Sequence, residues 1–286
     1  MHAPMLARGP QTRLAAVWAR KPDAARDLAR AFGSVAVGSH DELLDVCEAV
    51  AYAVPPDVQA DLAPVAARAG RAVMLEKPLG LDLRQARGLA ETVSATGVPN
   101  ILVLTKRFHP STGAFLDRAA RLRADGPITG VLAAYLHGFT LRGGASTTPW
   151  RLDHGALLDL GPHLVDLVDA AAGPIRSVRA TGDPRTYLTV STEHDDGVGQ
   201  LALSCAVAID SALTRVEVFS DQGSARWDTA GIDHDACWPV LCAEFAGAVR
   251  HGTAVRADVE RGLSLQLVLD AVSRSLTEDR RVVLDE

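Results

Sequence analysis

The residues best suited to chemistry fall in two short segments. Glu76-Lys77-Pro78 follows the apolar run 71–75, RAVML. That run reads as a parallel strand, so Lys77 is predicted just past a carboxyl end, where open α/β sheets bind their ligands. A lysine there can take or return an alcohol proton near neutral pH. Pro78 biases Lys77 away from helical backbone, although a Lys-Pro pair after a strand is also an ordinary loop. In Gly155-Ala156-Leu157-Leu158-Asp159-Leu160-Gly161-Pro162-His163, Asp159 and His163 stand four apart. On one continuous helix they share a face, and a carboxylate beside a histidine fixes its tautomer and favours its protonated form, a general acid/base arrangement. A surface Asp–His pair has the same spacing, and Pro162, lacking an N–H, kinks or starts a helix there.

These segments must be positioned by a chain of 286 residues, which suggests two domains at roughly 100–200 residues each. Hydrophobic residues make up 48% and charged residues 22%, with a net charge of −6, the balance of a soluble globular protein. No concentrated Lys/Arg surface is present to neutralise phosphates, so no nucleic-acid partner is expected. No run approaches the ~18 apolar residues of a spanning helix, no signal peptide opens the chain, and a cytoplasmic protein without membrane association is expected. Cys47, Cys205, Cys237 and Cys242 show no C-x-x-C spacing and read as thiols of a reducing compartment. His137, His154 and His163 fit no zinc spacing, so no metal is expected.

Up to about residue 106, strands and helices alternate. Residues 13–19, 35–37, 49–54, 71–75 and 100–104 are predicted strands. Helices are predicted over 22–32 (Pro22 in its first turn, Gly33 as stop), 39–47 (a capping box of Ser39 with Glu42), 57–69 and 83–96 (Asp82 as cap, Gly97 as stop). This rhythm means βαβ units and a parallel sheet. From 107 to 286 strands follow one another at 131–139, 176–181, 186–192, 199–208 and 214–220, with one helix over 155–172 among them. Helices over 239–250 and 259–276 and a strand over 281–284 close the chain. The expected fold is therefore α/β: a doubly wound parallel domain over 1–106, then an α+β domain over 107–286 with a mostly antiparallel sheet.

The strand-end E-K-P together with G-x-x-x-D-x-G-x-H resembles the glucose–fructose oxidoreductase/inositol dehydrogenase (Gfo/Idh/MocA) family. Val54-Pro55-Pro56-Asp57-Val58-Gln59 is similar to that family's turn after its fourth strand, and Lys106-Arg107-Phe108-His109-Pro110 to its R-F-x-P segment. The resemblance spans nearly the whole chain. It implies a Rossmann domain, an open-faced C-terminal sheet, and NAD or NADP bound between them. It also implies hydride transfer between the nicotinamide and a secondary alcohol or ketone of a sugar, inositol or related polyol. It carries over Lys77 as a catalytic residue, Asp159 as the residue that holds substrate or orients the base, and His163 as proton donor or acceptor. Arg20, Lys21, Val54, Pro55, Pro56, Glu76 and Arg107 join Lys77 as cofactor-side residues; Trp150 and Arg151 join the substrate side. A homodimer or homotetramer through the exposed sheet is implied. Lyase or glycoside-cleaving chemistry through transient oxidation also occurs in the family.

The sequence departs from that pattern at its start. The family's first strand and G-x-G-x-x-G turn, which brings backbone and a helix N-terminus to the pyrophosphate, do not occur in it. Residues 2–6 resemble the end of the helix after that turn, so a start about thirty residues upstream is expected, one β-turn-α unit. The strand is central in the 3-2-1-4-5-6 order, and without it two neighbours keep unpaired backbone groups. A non-catalytic binding or regulatory protein of the same fold is the alternative reading. At the end of the first predicted strand, Trp18-Ala19-Arg20-Lys21 offers cations where an acid favours NAD, which points to NADP, with NAD as the alternative. The loop Leu141-Arg142-Gly143-Gly144-Ala145-Ser146 reads as flexible, and Asp166 as a cap or ion-pair partner.

Overall fold

The computed structural model describes residues 2–144 and 147–284. Contacts divide the chain into one unit of residues 1–103 and 238–263 and another of 104–237 and 264–286. The stretch 238–263 thus counts with the first unit, an excursion that a single cut at 106/107 leaves out.

The first unit contains α1 (His2–Ala7), β1 (Ala16–Val17), α2 (Pro22–Ala31), β2 (Val35–Ala36), α3 (His40–Val46), β3 (Ala49–Ala51), α4 (Pro56–Arg68), β4 (Ala72–Leu75), α5 (Leu83–Thr96) and β5 (Asn100–Leu102). All its strand pairs are parallel, but they form two sheets, β1-β2 and β3-β4-β5. Among the described residues β1 and β3 share no ladder and head separate sheets. Local signals set the helix ends. Asp82 accepts a hydrogen bond from the Gln85 N–H at 2.7 Å, and Gly97 closes α5 with φ +66°, the left-handed region that glycine enters without strain. Ser39 caps α3 as expected, whereas Glu42 reaches back to the N–H of Gly38 at 2.8 Å, not to that of Ser39. Ala63, Ala66 and Ala67 of α4 and Leu89, Ala90 and Val93 of α5 are buried, as are Val73, Met74 and Leu75 of β4.

The second unit opens with α6 (Thr105–Phe108) and α7 (Pro110–Asp125), then β6 (Gly130–Leu136), α8 (Phe139–Arg142), α9 (Pro149–Asp159) and α10 (Gly161–Ala172). β7 (Ser177–Asp183), β8 (Tyr187–Glu193), β9 (Val198–Ser204), β10 (Leu213–Ser220) and β11 (Gly223–Asp228) follow. A short 3-10 turn precedes α11 (Cys237–His251), and α12 (Val259–Glu278) and β12 (Val282–Val283) close the chain. The sheet order is β11-β10-β6-β9-β8-β7-β12, antiparallel throughout except for the parallel β6–β9 pair. Side chains alternate across the sheet: Val131, Ala133, Val216 and Val218 are buried, on the face where α10 packs against β6 and β10, whereas Leu132 on the other face is exposed.

The long helix α7 was not legible in the sequence, nor was strand β11. In α7 the buried residues Thr112, Phe115, Ala119 and Leu122 make a narrow stripe interrupted by Gly113; in β11 only Ala225 and Trp227 face inward, along a polar edge strand. The predicted single helix over 155–172 is instead two helices, α9 and α10. No helix among the described residues is long and apolar enough to cross a membrane, and the four cysteines form no disulfide.

Candidate active site

In the first unit the candidate groups gather at the carboxyl end of β4. The last ladder bonds there run from Tyr52 N–H to the Met74 carbonyl at 3.0 Å and from Val103 N–H to the Leu75 carbonyl at 2.8 Å. Beyond them the backbone of Glu76 is bonded by one side chain. Gln59 of α4, fully buried, donates through Nε2 to the Glu76 carbonyl at 2.8 Å and accepts from the Glu76 N–H through Oε1 at 2.7 Å. The Glu76 carboxylate accepts from the Lys77 N–H at 3.1 Å and lies 3.2 Å from Nε2 of His2, whose ring stands edge-on to Trp238. The Lys77–Pro78 peptide is cis.

The neighbouring strand ends carry the other residues expected on the cofactor side. Arg20 and Lys21 are exposed at the β1–α2 turn, and Lys21 stands at the N-cap of α2. Val54 and Pro55 lead into α4, with Pro55 at the N-cap and Pro56 in the first turn. Two prolines remove N–H groups that would otherwise face an anion at that helix start. The turn therefore suits the flat face of a ring more than a phosphate. The exposed cations of the first turn suit the adenosine end of a dinucleotide and the proline turn suits the face of a ring; the Gly-rich turn for the pyrophosphate is not in the sequence.

In the second unit the geometry departs from the simple helix picture. Asp159 ends α9 and His163 lies in the first turn of α10, with Leu160 between the helices. Pro162 has no N–H to return to the carbonyl of Leu158, so the helical ladder stops there. A second break lies at Gly155, whose φ of 59° and ψ of −149° interrupt α9 while the Ala156 N–H bonds the Pro184 carbonyl at 2.8 Å. That break brings Arg151 to Asp159, Nε to Oδ1 at 3.0 Å; on a straight helix residues eight apart are ~12 Å apart along the axis. The Arg151 guanidinium also lies 4.7 Å from the centre of the Trp150 ring. Asp159 and His163 are both buried.

Tyr135 of β6 connects these groups. Its ring centre is 6.3 Å from that of His163, and the Lys106 ammonium of α6 sits 4.3 Å above its face. The phenol keeps some exposure, yet burial pushes its pKa well above the ordinary value, with the Asp159 and Cys205 charges adding to the rise. Nearby, His137 accepts the Phe139 N–H through Nδ1 at 2.9 Å, so its neutral ring carries the proton on Nε2. Burial holds its pKa below the usual value, helped by the Arg142 and Lys106 charges and opposed by Asp159. Arg107, expected beside the cofactor, lies with Nη1 3.7 Å from Oδ1 of the buried Asp166, the ion-pair role expected of Asp166. In the 141–146 loop, Gly143 and Gly144 have positive φ, and Ala145 and Ser146 lie outside the described residues. Among the described residues no group of His, Cys, Asp and Glu could hold a metal ion.

A family model for the NAD-binding Rossmann fold of the GFO/IDH/MocA oxidoreductases matches residues 1–103, and one for the GFO/IDH/MocA C-terminal domain matches residues 117–226. The chain belongs to the GFO/IDH/MocA oxidoreductase family. It is 27% identical to D-xylose 1-dehydrogenase (NADP(+)) 2 of Haloferax volcanii, over 92% of this chain and 91% of that one. It is 33% identical to inositol 2-dehydrogenase of Rhizobium meliloti, over 38% of this chain and 34% of that one. Among solved structures, GenD2 from gentamicin A biosynthesis in complex with NAD superimposes with a TM-score of 0.88 at 25% identity, covering 100% of this chain and 93% of that one.

Family membership leaves Lys106, Tyr135 and Gln59 to be found by structure, although the sequence held one signal for Lys106. Lys21, Lys77 and Lys106 are the only lysines among 29 Lys and Arg residues. In a chain that uses arginine nearly everywhere a cation is needed, a retained lysine marks a place for a compact, titratable amine. Gln59 and Tyr135 carried no comparable signal, because a glutamine in a helix and a tyrosine in a strand are ordinary.

Proposed function

We propose that the protein is an NADP- or NAD-dependent oxidoreductase that transfers a hydride between the nicotinamide and a secondary alcohol or ketone of a sugar, inositol or related polyol. The observation that carries this reading is the clamped carboxyl end of β4, which presents Lys77 at the position where this fold class binds ligands. The nicotinamide, when bound, supplies hydride acceptance or donation. The chain's own groups handle the proton and orient the carbon. Lys77 exchanges the alcohol proton, and His163, in the first turn of α10, is the acid/base of the second unit. Asp159, held by Arg151, hydrogen-bonds a substrate hydroxyl. Residues 1–106 act as the dinucleotide-binding domain and 107–286 as the substrate domain.

The exposed cations Arg20 and Lys21 favour NADP, because a 2′-phosphate needs a positive partner where NAD enzymes carry an acid. The protein assembles as a homodimer or homotetramer through the outer sheet face, where Leu132, Tyr187 and Val198 are 52%, 43% and 61% exposed. Assays of a sugar and inositol panel with NADP and with NAD test the reading. Expected are reduced-cofactor formation with at least one polyol, a lower KM for NADP, and a loss of kcat of at least about 100-fold in Lys77→Met. Full activity of Lys77→Met would overturn the assignment.

A further inference from the structure

We propose that Gln59 is a positioning residue that sets the place of Lys77. The inference rests on the reading of Lys77 as the catalytic amine. β4 pairs with β3 up to Met74 and with β5 up to Leu75, so past Leu75 no strand among the described residues pairs with the Glu76 peptide groups. A primary amide has the same C=O and N–H pair as a peptide unit, and Gln59 uses both, at 2.7 and 2.8 Å, on the N–H and carbonyl of the same residue. Its side chain thus acts as one further rung of the ladder.

The consequence reaches Lys77 through a single peptide bond. With both Glu76 groups held, the plane leading into Lys77 is fixed and so is the direction of its Cα–Cβ bond. The Glu76 carboxylate is fixed at the same time, between the Lys77 N–H at 3.1 Å and His2 Nε2 at 3.2 Å. Gln59 is fully buried and its amide is committed to Glu76, which sets its role apart from substrate or cofactor binding. Loss of the clamp releases the strand end by a fraction of an ångström to an ångström, a displacement that commonly lowers rates by on the order of 10- to 100-fold.

The test uses Gln59→Met, which keeps the volume and removes both hydrogen bonds, and Gln59→Glu. In the latter the introduced carboxyl, when protonated, can make both bonds, and when ionised only the one from the Glu76 N–H. Because the chain has three lysines, reductive 13C-methylation gives a spectrum that can be assigned with Lys21→Arg and Lys106→Arg. Expected in Gln59→Met are a shifted Lys77 resonance with that of Lys21 unmoved, and a kcat lower by on the order of 10- to 100-fold with substrate KM changed less. Gln59→Glu should approach wild-type activity, measured at the same pH, at low pH and fall away from it as pH rises. Ser275→Ala, which removes the hydroxyl that accepts the Ala180 N–H at 2.9 Å, controls for lost stability and should leave the Lys77 resonance in place. An unchanged Lys77 resonance and unchanged kcat in folded Gln59→Met, or in Gln59→Glu at high pH, would overturn the proposal. Full activity in Lys77→Met would instead overturn the catalytic reading, while the resonance would still decide whether Gln59 sets the lysine's position.

Discussion

Replacing Gly155 by alanine should be among the most damaging single changes in the second unit, and the structure gives its size. With φ 59° and ψ −149°, Gly155 occupies backbone space open essentially to glycine alone, and a residue forced there costs about 1–3 kcal/mol. A Cβ at this position would stand 2.1 Å from the Pro184 carbonyl oxygen and 2.8 Å from the Arg185 nitrogen. Both are backbone atoms, so no side-chain rotation relieves the contact, and overpacking of this kind adds about 1–3 kcal/mol. The Ala156 N–H bond to the same carbonyl, 2.8 Å long, weakens as α9 and the β7–β8 turn separate. The total is about 4 kcal/mol, a large part of the ~5–15 kcal/mol that holds a typical protein folded, or a fall in Tm of about 10 °C. Urea denaturation of wild type and Gly155→Ala measures it. Gly97→Ala is the comparison, since Gly97 also has positive φ, +66°, but nothing within 4 Å of its Cβ position; its cost is about 1 kcal/mol. Equal losses in the two variants, or a loss below about 1 kcal/mol for Gly155→Ala, would refute the steric argument.

Two further outcomes are expected. Burial holds His40, His137 and His234 below their usual pKa. Between those folded-state values and ~6.5 the unfolded chain therefore binds more protons, and stability present above ~6.5 is lost as pH falls through that window. Proton NMR of the ring resonances should give midpoints below 6.5 for all three, and a midpoint at or above it for any one contradicts its environment. Tyr135→Phe keeps the face under Lys106, whereas Tyr135→Leu removes a cation–π contact worth about 0.5–1 kcal/mol, so urea denaturation should find the Leu variant less stable than the Phe variant by at least that much. Equal stability of the two variants would show that the ring under Lys106 contributes nothing.

What the sequence determined by itself was mostly local. Pro22, Asp82 and Gly97 start or stop helices through their own backbone chemistry, and the helix and turn that they predict are found. Strand–helix alternation set the parallel pairing of β1 to β5, and turn-linked strands set the mostly antiparallel sheet, because those rules act between neighbours in sequence. The residue types of E-K-P and D-x-G-x-H were likewise readable. Their geometry was not. Asp159 and His163 sit on two helices, and the partner that Asp159 accepts from is Arg151, because Gly155 fits against a carbonyl some thirty residues away, a packing relation with no sequence signature. Gln59 meets Glu76 across 17 residues, and Lys106 meets Tyr135 from another element. Hydrogen-bond complementarity at a strand end and the stacking of a cation on a ring exist only once distant segments are packed, so tertiary structure alone decided which side chains surround the candidate chemistry.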